Sequence, residues 1–513
     1  MIFFFEGLLF AFAKNAQPFE YIFFNPVLYL IPAFILVFFF VKVHRNAGRN
    51  LLLLISSIAL TFYFADAIYY LFFYQNYSDH FEPLISSVSC IYNKGEALYT
   101  LGDALYSVAY GPLLFMINGF FLKLNASMFC AKLPGILAAY LSIFILFFLV
   151  RKKSDNTTSF ISVGFLALIF LLHDTISFWN RPEPFLLLLV VLGLASLEIR
   201  NPLLCLMMVS VCIGFSINLK VYAFIYFIPF LAYRKDLLNA QFLFMGSVIS
   251  LLVFLLPFSK SNISLSQYLF LLKSLAGSTR FNLSQLVQIA QWAVLYLLLL
   301  RGNKNRKVFI LILVSTLTLL LLAAQAGEKY YLLPLLPVIL YARSLSTTGF
   351  SAQGLSTIAV CSLGLLLFTI FLSRSYLQIN RHWHHLVYEE SMTEFKGILG
   401  KYKERVAVGY TDVQHYVYTF NRDQCIFAGN PLYFDAGALM VYETARTPYS
   451  EKLNEALDTK IDYLVLPRGG KPFSLLSFYP PHHFVFPETF RKKFQESFTV
   501  VDSTNIYLVY KRK

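Results

Sequence analysis

Long apolar runs, separated by short polar or charged segments, occupy most of the chain up to residue 373. An apolar run of about 20 residues is long enough to cross a bilayer as a helix. We predict membrane helices at 23–42, 51–74, 128–150, 159–176, 184–199, 203–218, 220–233, 241–258, 284–300, 308–325, 331–343 and 355–373. The two runs around Lys220 are short for a perpendicular span, so we expect them to be bent, tilted or partly re-entrant. The pattern predicts a mainly α, polytopic membrane protein with about 12 membrane helices.

The pattern changes after residue 374, where short apolar stretches alternate with amphipathic ones. Strands are predicted at 405–410, 425–429, 461–467 and 504–512, and helices at 384–402 and 450–460. Such alternation is typical of a small α/β domain. We therefore predict a membrane domain at 1–374, which includes a long loop at 75–127, followed by an α/β domain at 375–513.

Composition also favours a membrane protein, since 58% of the residues are hydrophobic, 14% are charged and the mean hydropathy is +0.62. Soluble domains carry about a quarter charged residues. The net charge of +14 would suggest a nucleic-acid partner in a soluble protein, but cytoplasmic loops and anionic lipid headgroups account for it here. We expect membrane lipids as partners and no nucleic acid.

Lysine and arginine cluster in four loops, at 42–49, 151–153, 234–235 and 301–307. With the predicted helices these loops fall on one side, which the positive-inside rule makes cytoplasmic. The loop at 75–127 and the C-terminal domain then lie outside the cytoplasm. We expect the apolar second half of that loop to form a helix on the outer membrane surface, because a span there would reverse the charge rule.

Two acids and a histidine follow the second apolar run, in the sequence Asp79-His80-Phe81-Glu82. Asp79 and Glu82 are three residues apart, so a short helix would place both carboxylates on one face. Two such carboxylates are suited to general-base catalysis or to holding a divalent cation. The alternative is a polar helix end that faces water. We predict no metal site, although the pair leaves a metal requirement open.

Isolated charges mark two further places. Arg181 and Glu183 lie at the start of an apolar run, and an arginine can bind a phosphate through two hydrogen bonds. The alternative is a proline-rich helix start with a helix-end charge pair. Lys220 stands alone between two apolar runs, where it needs an anionic partner such as a lipid phosphate unless its chain extends to the headgroups.

A fourth group comprises Arg280 and the segment Lys329-Tyr330-Tyr331. A lysine beside two tyrosines at a helix start is suited to binding a phosphate or stacking on a sugar. Tyrosines are also ordinary residues of the membrane interface, which is the alternative. The sequence contains no nucleotide-binding, zinc-protease or serine-hydrolase motif.

Five short motifs follow one another in the chain, at Asp79–Pro83, Gly95–Tyr99, Tyr110–Leu113, Arg181–Leu187 and Gly327–Pro334. Their order resembles that in the integral-membrane glycosyltransferases of the GT-C fold. The resemblance is to the bacterial mannosyltransferase-like branch, which is related to protein O-mannosyltransferases and to the lipid A aminoarabinose transferase. This sequence departs from the family pattern at two positions. His80 follows Asp79 where a second acid is common, and Glu183 stands where an aspartate is commoner.

The resemblance implies a GT-C-like helical bundle with an extracytoplasmic α/β domain, in the bacterial inner membrane, with the active site facing the periplasm or exterior. It implies transfer of a hexosyl or pentosyl group, with inversion, from a polyprenyl-phosphate-sugar donor to a hydroxyl of a glycan, lipid or protein. Asp79 is the implied general base, with Glu82 and Glu183 as acidic partners. The expected substrate contacts are His80, Arg181, Lys220, Arg280, Lys329, Tyr330 and Tyr331. No cofactor is expected.

Three other functional classes stay open at this point. A transporter or flippase of lipid-linked sugars would show an internal repeat and charges near the bilayer midplane, whereas the sequence shows no repeat. A ligase or polymerase of lipid-linked glycans would use similar donors but typically has its large outer loop between later helices. A membrane scaffold would bind a partner through its C-terminal domain without catalysis.

Overall fold

The computed structural model describes residues 47–100, 105–278, 281–300, 305–326, 329–345, 364, 385–403, 405–479 and 482–513. Up to residue 345 the described part of the chain is almost entirely helical. The α-helices are α1 Ala47–Phe72, α2 Phe81–Asn93, α3 Pro112–Leu124, α4 Met128–Arg151, α5 Asn156–Leu172, α6 Pro182–Ser196, α7 Pro202–Leu219, α8 Ala240–Leu255, α9 Leu265–Ser278, α10 Leu283–Leu298, α11 Arg306–Ala326 and α12 Leu336–Ser344. Shorter 3₁₀ helices lie at Ile176–Phe178, Val221–Ala232, Lys235–Leu238, Leu256–Ser259 and Lys329–Leu335. The predicted mainly helical fold is confirmed, while the predicted helices at 23–42 and 355–373 lie outside the described residues.

Five of the described helices are long and apolar enough to cross a membrane. They are Arg49–Phe72, Met128–Arg151, Pro202–Leu219, Ala240–Ser259 and Arg306–Gln325. Large apolar side chains on these helices, such as Phe244, Leu251 and Leu252 of α8, are exposed on the protein surface. Exposed apolar side chains on helices that satisfy their own backbone hydrogen bonds suit contact with lipid. The predicted total of about 12 membrane helices stays a prediction.

The C-terminal part is a small α/β structure. Its helices are α13 His385–Lys401, α14 Asp423–Phe427, α15 Ala436–Thr444, α16 Ser450–Glu455 and α17 Glu488–Ser497, with a 3₁₀ helix at Tyr416–Thr419 and a π-helical turn at Ala456–Lys460. Its strands are β1 Val406–Val408, β2 Tyr463–Pro467, β3 Phe498–Ser503 and β4 Tyr507–Arg512. They form one sheet in the order β1-β2-β4-β3, in which β1 and β2 are parallel and the other pairs are antiparallel. The predicted strands at 405–410, 461–467 and 504–512 are confirmed.

The strand predicted at 425–429 is wrong, because residues 425–427 belong to the short helix α14 and residues 428 and 429 form the turn that follows it. A run of only a few apolar residues has too little periodicity to distinguish a helix from a strand. The acidic Asp423 in the first turn suits a helix N-terminus, where the backbone dipole favours negative charge. Cys425 and Ile426 are buried in this helix, which explains the apolar run.

The core of the C-terminal structure lies between α13 and the sheet. Phe395 and Ile398 of α13 pack with Val408, Val465 and Val509 of three adjacent strands. These five side chains are almost fully buried. Their burial removes apolar surface from water, which is the main stabilising contribution to such a small domain.

Contacts between residues divide the chain into two compact units. One comprises Met1–Tyr63, Ile143–Thr175 and Phe281–Ile379, and the other comprises Phe64–Ser142, Ile176–Arg280 and Asn380–Lys513. The C-terminal α/β structure therefore shares a unit with the segment that carries Asp79. The predicted domain division after residue 374 stays a prediction.

Candidate functional site

Asp79 lies just before helix α2, and its carboxylate is partly open to solvent. Oδ1 accepts a hydrogen bond from the Phe81 backbone N–H at 2.8 Å, which fixes the side chain at the start of the helix. Oδ2 lies 3.0 Å from Nη1 of Arg181, and 17% of the side chain remains exposed. One carboxylate oxygen is thus held by the backbone and the other faces a cation at an accessible position.

Glu82 is fully buried behind Asp79. Its Oε1 accepts hydrogen bonds from the backbone N–H groups of Ser78 and Asp79, at 2.8 and 3.0 Å. Its Oε2 accepts from the Tyr70 hydroxyl and, at 2.9 Å, from the Asn180 backbone N–H. Burial raises the pKa of Glu82 to about 7, although the hydrogen bonds from Tyr70 and Asn180 oppose that rise. Because its four donors come from three segments, Glu82 joins α1, the Asp79 loop and the segment before α6.

Arg181 lies at the start of α6 and contacts three side chains. Its extended backbone precedes Pro182, which occupies the first helical position and suits a helix start. Besides Asp79, its guanidinium donates through Nη2 to the Tyr110 hydroxyl at 2.9 Å, and Nε lies 3.5 Å from Oε2 of Glu183. Glu183 in turn accepts through Oε1 from Nζ of Lys220 at 2.5 Å. We call Asp79, Arg181, Glu183 and Lys220 the charge chain, because negative and positive groups alternate along it.

The charge chain controls the ionisation of its exposed end. Burial alone would raise the pKa of Asp79, but the positive charge of Arg181, with smaller contributions from His80 and the Phe81 N–H, lowers it below the usual value. Asp79 is therefore ionised at neutral pH and oriented by its partner. Burial lowers the pKa of His80, although the neighbouring Asp79 carboxylate opposes that shift.

The position of Lys220 depends on a close backbone contact. Lys220 directly follows α7, and the Gly111 backbone packs against the end of that helix. A Cβ atom at Gly111 would lie 1.3 Å from the backbone oxygen of Asn218, so only glycine fits here. The Asn218 side chain also accepts from the Leu113 N–H at 2.8 Å. This contact brings Tyr110 close to Lys220, whose Nζ lies 5.9 Å from the tyrosine ring centroid.

The structure therefore brings together three of the four predicted places. Asp79, His80, Glu82, Arg181, Glu183 and Lys220 all lie in one compact unit, and Tyr110, from the third of the five sequence motifs, joins them. Arg280 lies outside the described residues. Lys329 begins a 3₁₀ helix in the other unit, where the rings of Tyr330 and Tyr331 are 5.4 Å apart. The predicted roles of all these residues stay predictions.

Lys132 is a buried cation that the sequence predictions missed. Its Nζ donates to the backbone oxygens of Tyr70 and Tyr74, at 3.0 and 2.6 Å, at the C-terminal end of α1. A positive charge there stabilises the helix end, because the last carbonyl groups carry partial negative charge. Like Lys220, Lys132 is an isolated lysine in an apolar run, so the same signal was available in the sequence.

Three charged residues of the C-terminal structure hold the Asp79 loop from the other side. Arg422 pairs with the Asp435 carboxylate and donates through Nη2 to the His80 backbone oxygen at 2.5 Å. Asp423 accepts through Oδ2 from the Tyr77 hydroxyl, also at 2.5 Å. We call Arg422, Asp423 and Asp435 the clasp. Burial raises the pKa of Asp423 to about 6, although the Tyr77 hydrogen bond lowers it.

The carboxylates of the Asp79 loop are directed at protein donors rather than at one another. Both oxygens of Glu82 accept from the donors described above, and Asp79 faces Phe81 and Arg181. Among the described residues no group of three or more His, Cys, Asp or Glu side chains could hold a metal ion. In the described site the Asp79 carboxylate is partly accessible and lies beside the Arg181 guanidinium.

No protein-family model and no curated protein matches the sequence of the chain. Its structure is similar to that of ArnT from Cupriavidus metallidurans bound to undecaprenyl phosphate, with a TM-score of 0.52 and 11% identity. That match covers 88% of this chain and 97% of ArnT. The apo structure of the same ArnT gives a TM-score of 0.53 at 11% identity, covering 89% and 97% of the two chains. At 11% identity this similarity is one of fold alone. It confirms, for the fold, the predicted resemblance to the GT-C glycosyltransferases.

Proposed function

We propose that this protein is an integral-membrane glycosyltransferase that moves a sugar from a polyprenyl-phosphate donor to an acceptor hydroxyl. The observation that carries the proposal is the partly exposed carboxylate of Asp79, held 3.0 Å from Arg181 at the end of the charge chain. The fold supports it, because it is similar to that of ArnT, which has been seen bound to undecaprenyl phosphate. A base next to cations, on an apolar helical scaffold, suits a reaction between a hydroxyl and a lipid phosphate.

Asp79 acts as the general base in this proposal. The acceptor hydroxyl attacks the anomeric carbon of the donor sugar, and its proton passes to Oδ2 of Asp79. The bond between the anomeric carbon and the phosphate oxygen breaks, and its electron pair leaves with the polyprenyl phosphate. A single displacement of this kind inverts the anomeric configuration. Arg181 weakens Asp79 as a base by lowering its pKa, but keeps it ionised and oriented before the reaction.

Arg181 and Lys220 bind the phosphate of the donor and of the leaving group. Both cations are paired with Glu183 in the structure, and a phosphate is the kind of anion that arginine and lysine side chains bind. Glu183 orients the two cations and offsets their charge when the donor is absent. Arg280 and Lys329 are proposed as further phosphate contacts, and Tyr330 and Tyr331 as further substrate contacts, on the sequence alone. In this scheme Glu82 positions Asp79, because it accepts hydrogen bonds from the backbone of the loop that carries this residue.

The proposed setting is the bacterial inner membrane, with Asp79 on the periplasmic or outer side. The distribution of lysine and arginine supports this orientation, since the four basic loops fall on the opposite side of the predicted helices. The apolar helices support the membrane location. The sugar is a hexose or pentose, and the acceptor is a glycan, lipid or protein.

The test uses the full chain in lipid nanodiscs with a panel of undecaprenyl-phosphate sugars carrying ¹³C-labelled hexoses and pentoses, together with a mixture of a saccharide, a glycolipid and a serine-containing peptide as acceptors. We expect one donor to be consumed, with release of undecaprenyl phosphate and appearance of label in a second product, both measured by mass spectrometry. The matched control for Asp79→Asn is Glu96→Gln, an exposed acid in the same loop segment. If no donor is consumed, but proteoliposomes move the intact lipid-linked sugar between leaflets, the protein is a transporter and the proposal fails.

A further inference from the structure

A continuous series of hydrogen bonds connects the segment before α6 with helix α14 of the C-terminal structure. Asn180 donates through Nδ2 to Oγ of Ser86, at 2.9 Å. Oγ of Ser86 and the Tyr77 hydroxyl are also 2.9 Å apart. Tyr77 in turn donates to Oδ2 of Asp423. All four side chains are fully buried, and we call Asn180, Ser86, Tyr77 and Asp423 the polar bridge.

Asp423 fixes the direction of these hydrogen bonds. It is ionised above a pH of about 6, and an ionised carboxylate can only accept. Burial and the Asp423 charge raise the pKa of Tyr77, so the phenol keeps its proton and directs it at Asp423. The Tyr77 oxygen then accepts from Ser86, whose proton also lies near the Glu82 backbone oxygen, 3.1 Å away. Because each hydroxyl both donates and accepts, these bonds strengthen one another.

The other end of the polar bridge holds Glu82. The Asn180 backbone N–H donates to Oε2 of Glu82 at 2.9 Å, and its side-chain amide donates to the Glu82 backbone oxygen at 3.3 Å. Oε1 of the same glutamate accepts from the N–H groups of Ser78 and Asp79. The polar bridge therefore orients Asn180, and through it the carboxylate that fixes the backbone of Asp79.

Tyr77 also acts on Asp79 more directly, since it precedes that residue by two positions in the same loop. Its hydroxyl fixes the loop to Asp423 at one point, and Glu82 fixes the loop at the next two residues. If the Tyr77 ring moved, both points of support would change together. The orientation of the Asp79 carboxylate thus depends on a residue of the C-terminal structure.

We propose that Tyr77 and Asp423 are positioning residues for the general base Asp79. The inference rests on the proposed transfer reaction. The two residues touch no substrate and act through the loop and through Glu82. Asp423 follows Tyr77 by 346 residues, so the C-terminal structure contributes to catalysis by orienting a base that another part of the chain carries. A reacting group displaced by about 1 Å can cost up to about 100-fold in rate, so such support affects turnover.

The alternative is that the polar bridge only stabilises the fold, as any buried hydrogen bond does. Tyr507 provides the matched control, because its hydroxyl is equally buried and has three partners. These are Oγ of Ser391 at 2.5 Å, Nδ2 of Asn421 at 2.9 Å and the Tyr418 backbone oxygen at 2.8 Å. All three partners belong to the C-terminal structure. Tyr507→Phe therefore removes the same group as Tyr77→Phe, at a position outside the polar bridge.

The first experiment compares the kinetics of these two variants in nanodiscs, with the donor identified in the transfer assay. In Tyr77→Phe we expect kcat to fall roughly tenfold and the KM for the donor to stay within about twofold, because the cations of the charge chain are unchanged. Tyr507→Phe should lower the unfolding temperature by a similar amount, yet keep kcat within about twofold of the wild type. Release of undecaprenyl phosphate measures the rate.

Variants of Asp423 separate its role as a hydrogen-bond acceptor from its charge. Asp423→Asn keeps a carbonyl oxygen that can accept from Tyr77, so its kcat should be less impaired than that of Asp423→Leu, which has no acceptor. The double variant Tyr77→Phe/Asp423→Leu should be no slower than the slower single variant, since both changes break the same hydrogen bond. If Asp423→Leu does not fold, the comparison of Tyr77→Phe with Tyr507→Phe decides alone.

Amide hydrogen exchange tests the same support without any need for turnover. The N–H groups of Ser78 and Asp79 are protected by their hydrogen bonds to Glu82. In Tyr77→Phe, peptides that span these two residues should exchange roughly tenfold faster, because the loop opens more easily. In Tyr507→Phe the same peptides should exchange as in the wild type. Mass spectrometry of the full-length protein in nanodiscs measures both.

Two results would overturn the inference while leaving the proposed reaction intact. One is equal exchange of the loop peptides in Tyr77→Phe and the wild type. The other is faster exchange with an unchanged kcat, which would show that the polar bridge holds the loop without orienting the base. If the wild type consumes no donor, the proposed reaction fails and the positioning role fails with it. That outcome is recognised separately, because it appears before any variant is measured.

Discussion

The charge chain and the clasp lie in the same compact unit and use the same kind of pair, yet they differ in access. Asp79 and Arg181 lie where part of the carboxylate meets solvent, whereas Arg422 and Asp435 are fully buried. Both oxygens of Asp435 are already used, by Arg422 and by the N–H groups of Gly437 and Ala438 at the start of α15. Asp435, whose two carboxylate oxygens already accept hydrogen bonds, is suited to stabilising the fold. Asp79, which has an accessible oxygen, is suited to accepting a proton from a substrate.

Substitution of the accessible aspartate should have the largest effect on activity. In Asp79→Asn the amide cannot take the acceptor proton, so kcat should fall by up to about 10⁴-fold, the upper contribution of a general base. The unfolding temperature should change little, because the side chain is partly exposed. Release of undecaprenyl phosphate measures the rate, with Glu96→Gln as the control. Full activity in Asp79→Asn would show that the accessible carboxylate is not the base.

Substitution of the buried aspartate should instead act on stability. Asp435→Asn leaves the Arg422 charge buried without its counter-ion, which costs about 3–5 kcal/mol for a fully buried pair. Thermal unfolding of the protein in nanodiscs or detergent measures the loss.

The double variant Arg422→Met/Asp435→Asn provides the control for that prediction. Removing both charges together should restore part of the stability, since no buried charge is left unpaired. If the single variant unfolds at the wild-type temperature, the buried pair of the clasp does not stabilise the protein.

Arg181 allows a finer test, since it changes the pKa of Asp79 without removing the base. In the wild type the acid limb of the pH profile of kcat/KM should lie below the usual range for aspartate, because Arg181 lowers that pKa. In the Arg181→Gln variant, no positive charge at this position opposes the rise in the Asp79 pKa that burial causes. The pKa should rise, and the acid limb should move to higher pH. Arg468→Gln, which replaces an exposed arginine, should leave the limb in place. An unmoved limb in Arg181→Gln would mean that another group titrates.

Much of the helical scaffold and several site residues could be predicted from the sequence. Apolar runs located the described membrane helices, and the isolated charges at Asp79, Arg181 and Lys220 proved to be neighbours. An isolated charge in an apolar run is informative because burial without a partner is so costly. Lys132 shows the same pattern, and its burial against the carbonyl groups at the end of α1 follows from the same rule.

Other features could not be predicted because they depend on contacts between distant parts of the chain. The spacing of Asp79 and Glu82 predicts a shared face, but the donors of Glu82 come partly from Tyr70 and Asn180, on other segments. Arg422 meets the His80 backbone across 342 residues of sequence. Strand β3 was missed because only Phe498 is buried in it, so its residues show no alternation of apolar and polar positions.

The smallest effect on stability is expected from an ion pair that belongs neither to the charge chain nor to the clasp. Lys492 and Glu488 are four residues apart on α17, with nitrogen and oxygen 2.9 Å apart and both side chains largely exposed. Water screens such a pair and side-chain entropy opposes it, so Lys492→Ala should leave the unfolding temperature within experimental scatter. The ion pairs Arg422–Asp435, Arg181–Asp79 and Lys492–Glu488 then form a series of increasing exposure. If Lys492→Ala destabilised the protein as strongly as Asp435→Asn, burial could not be what separates the clasp from an ordinary surface contact.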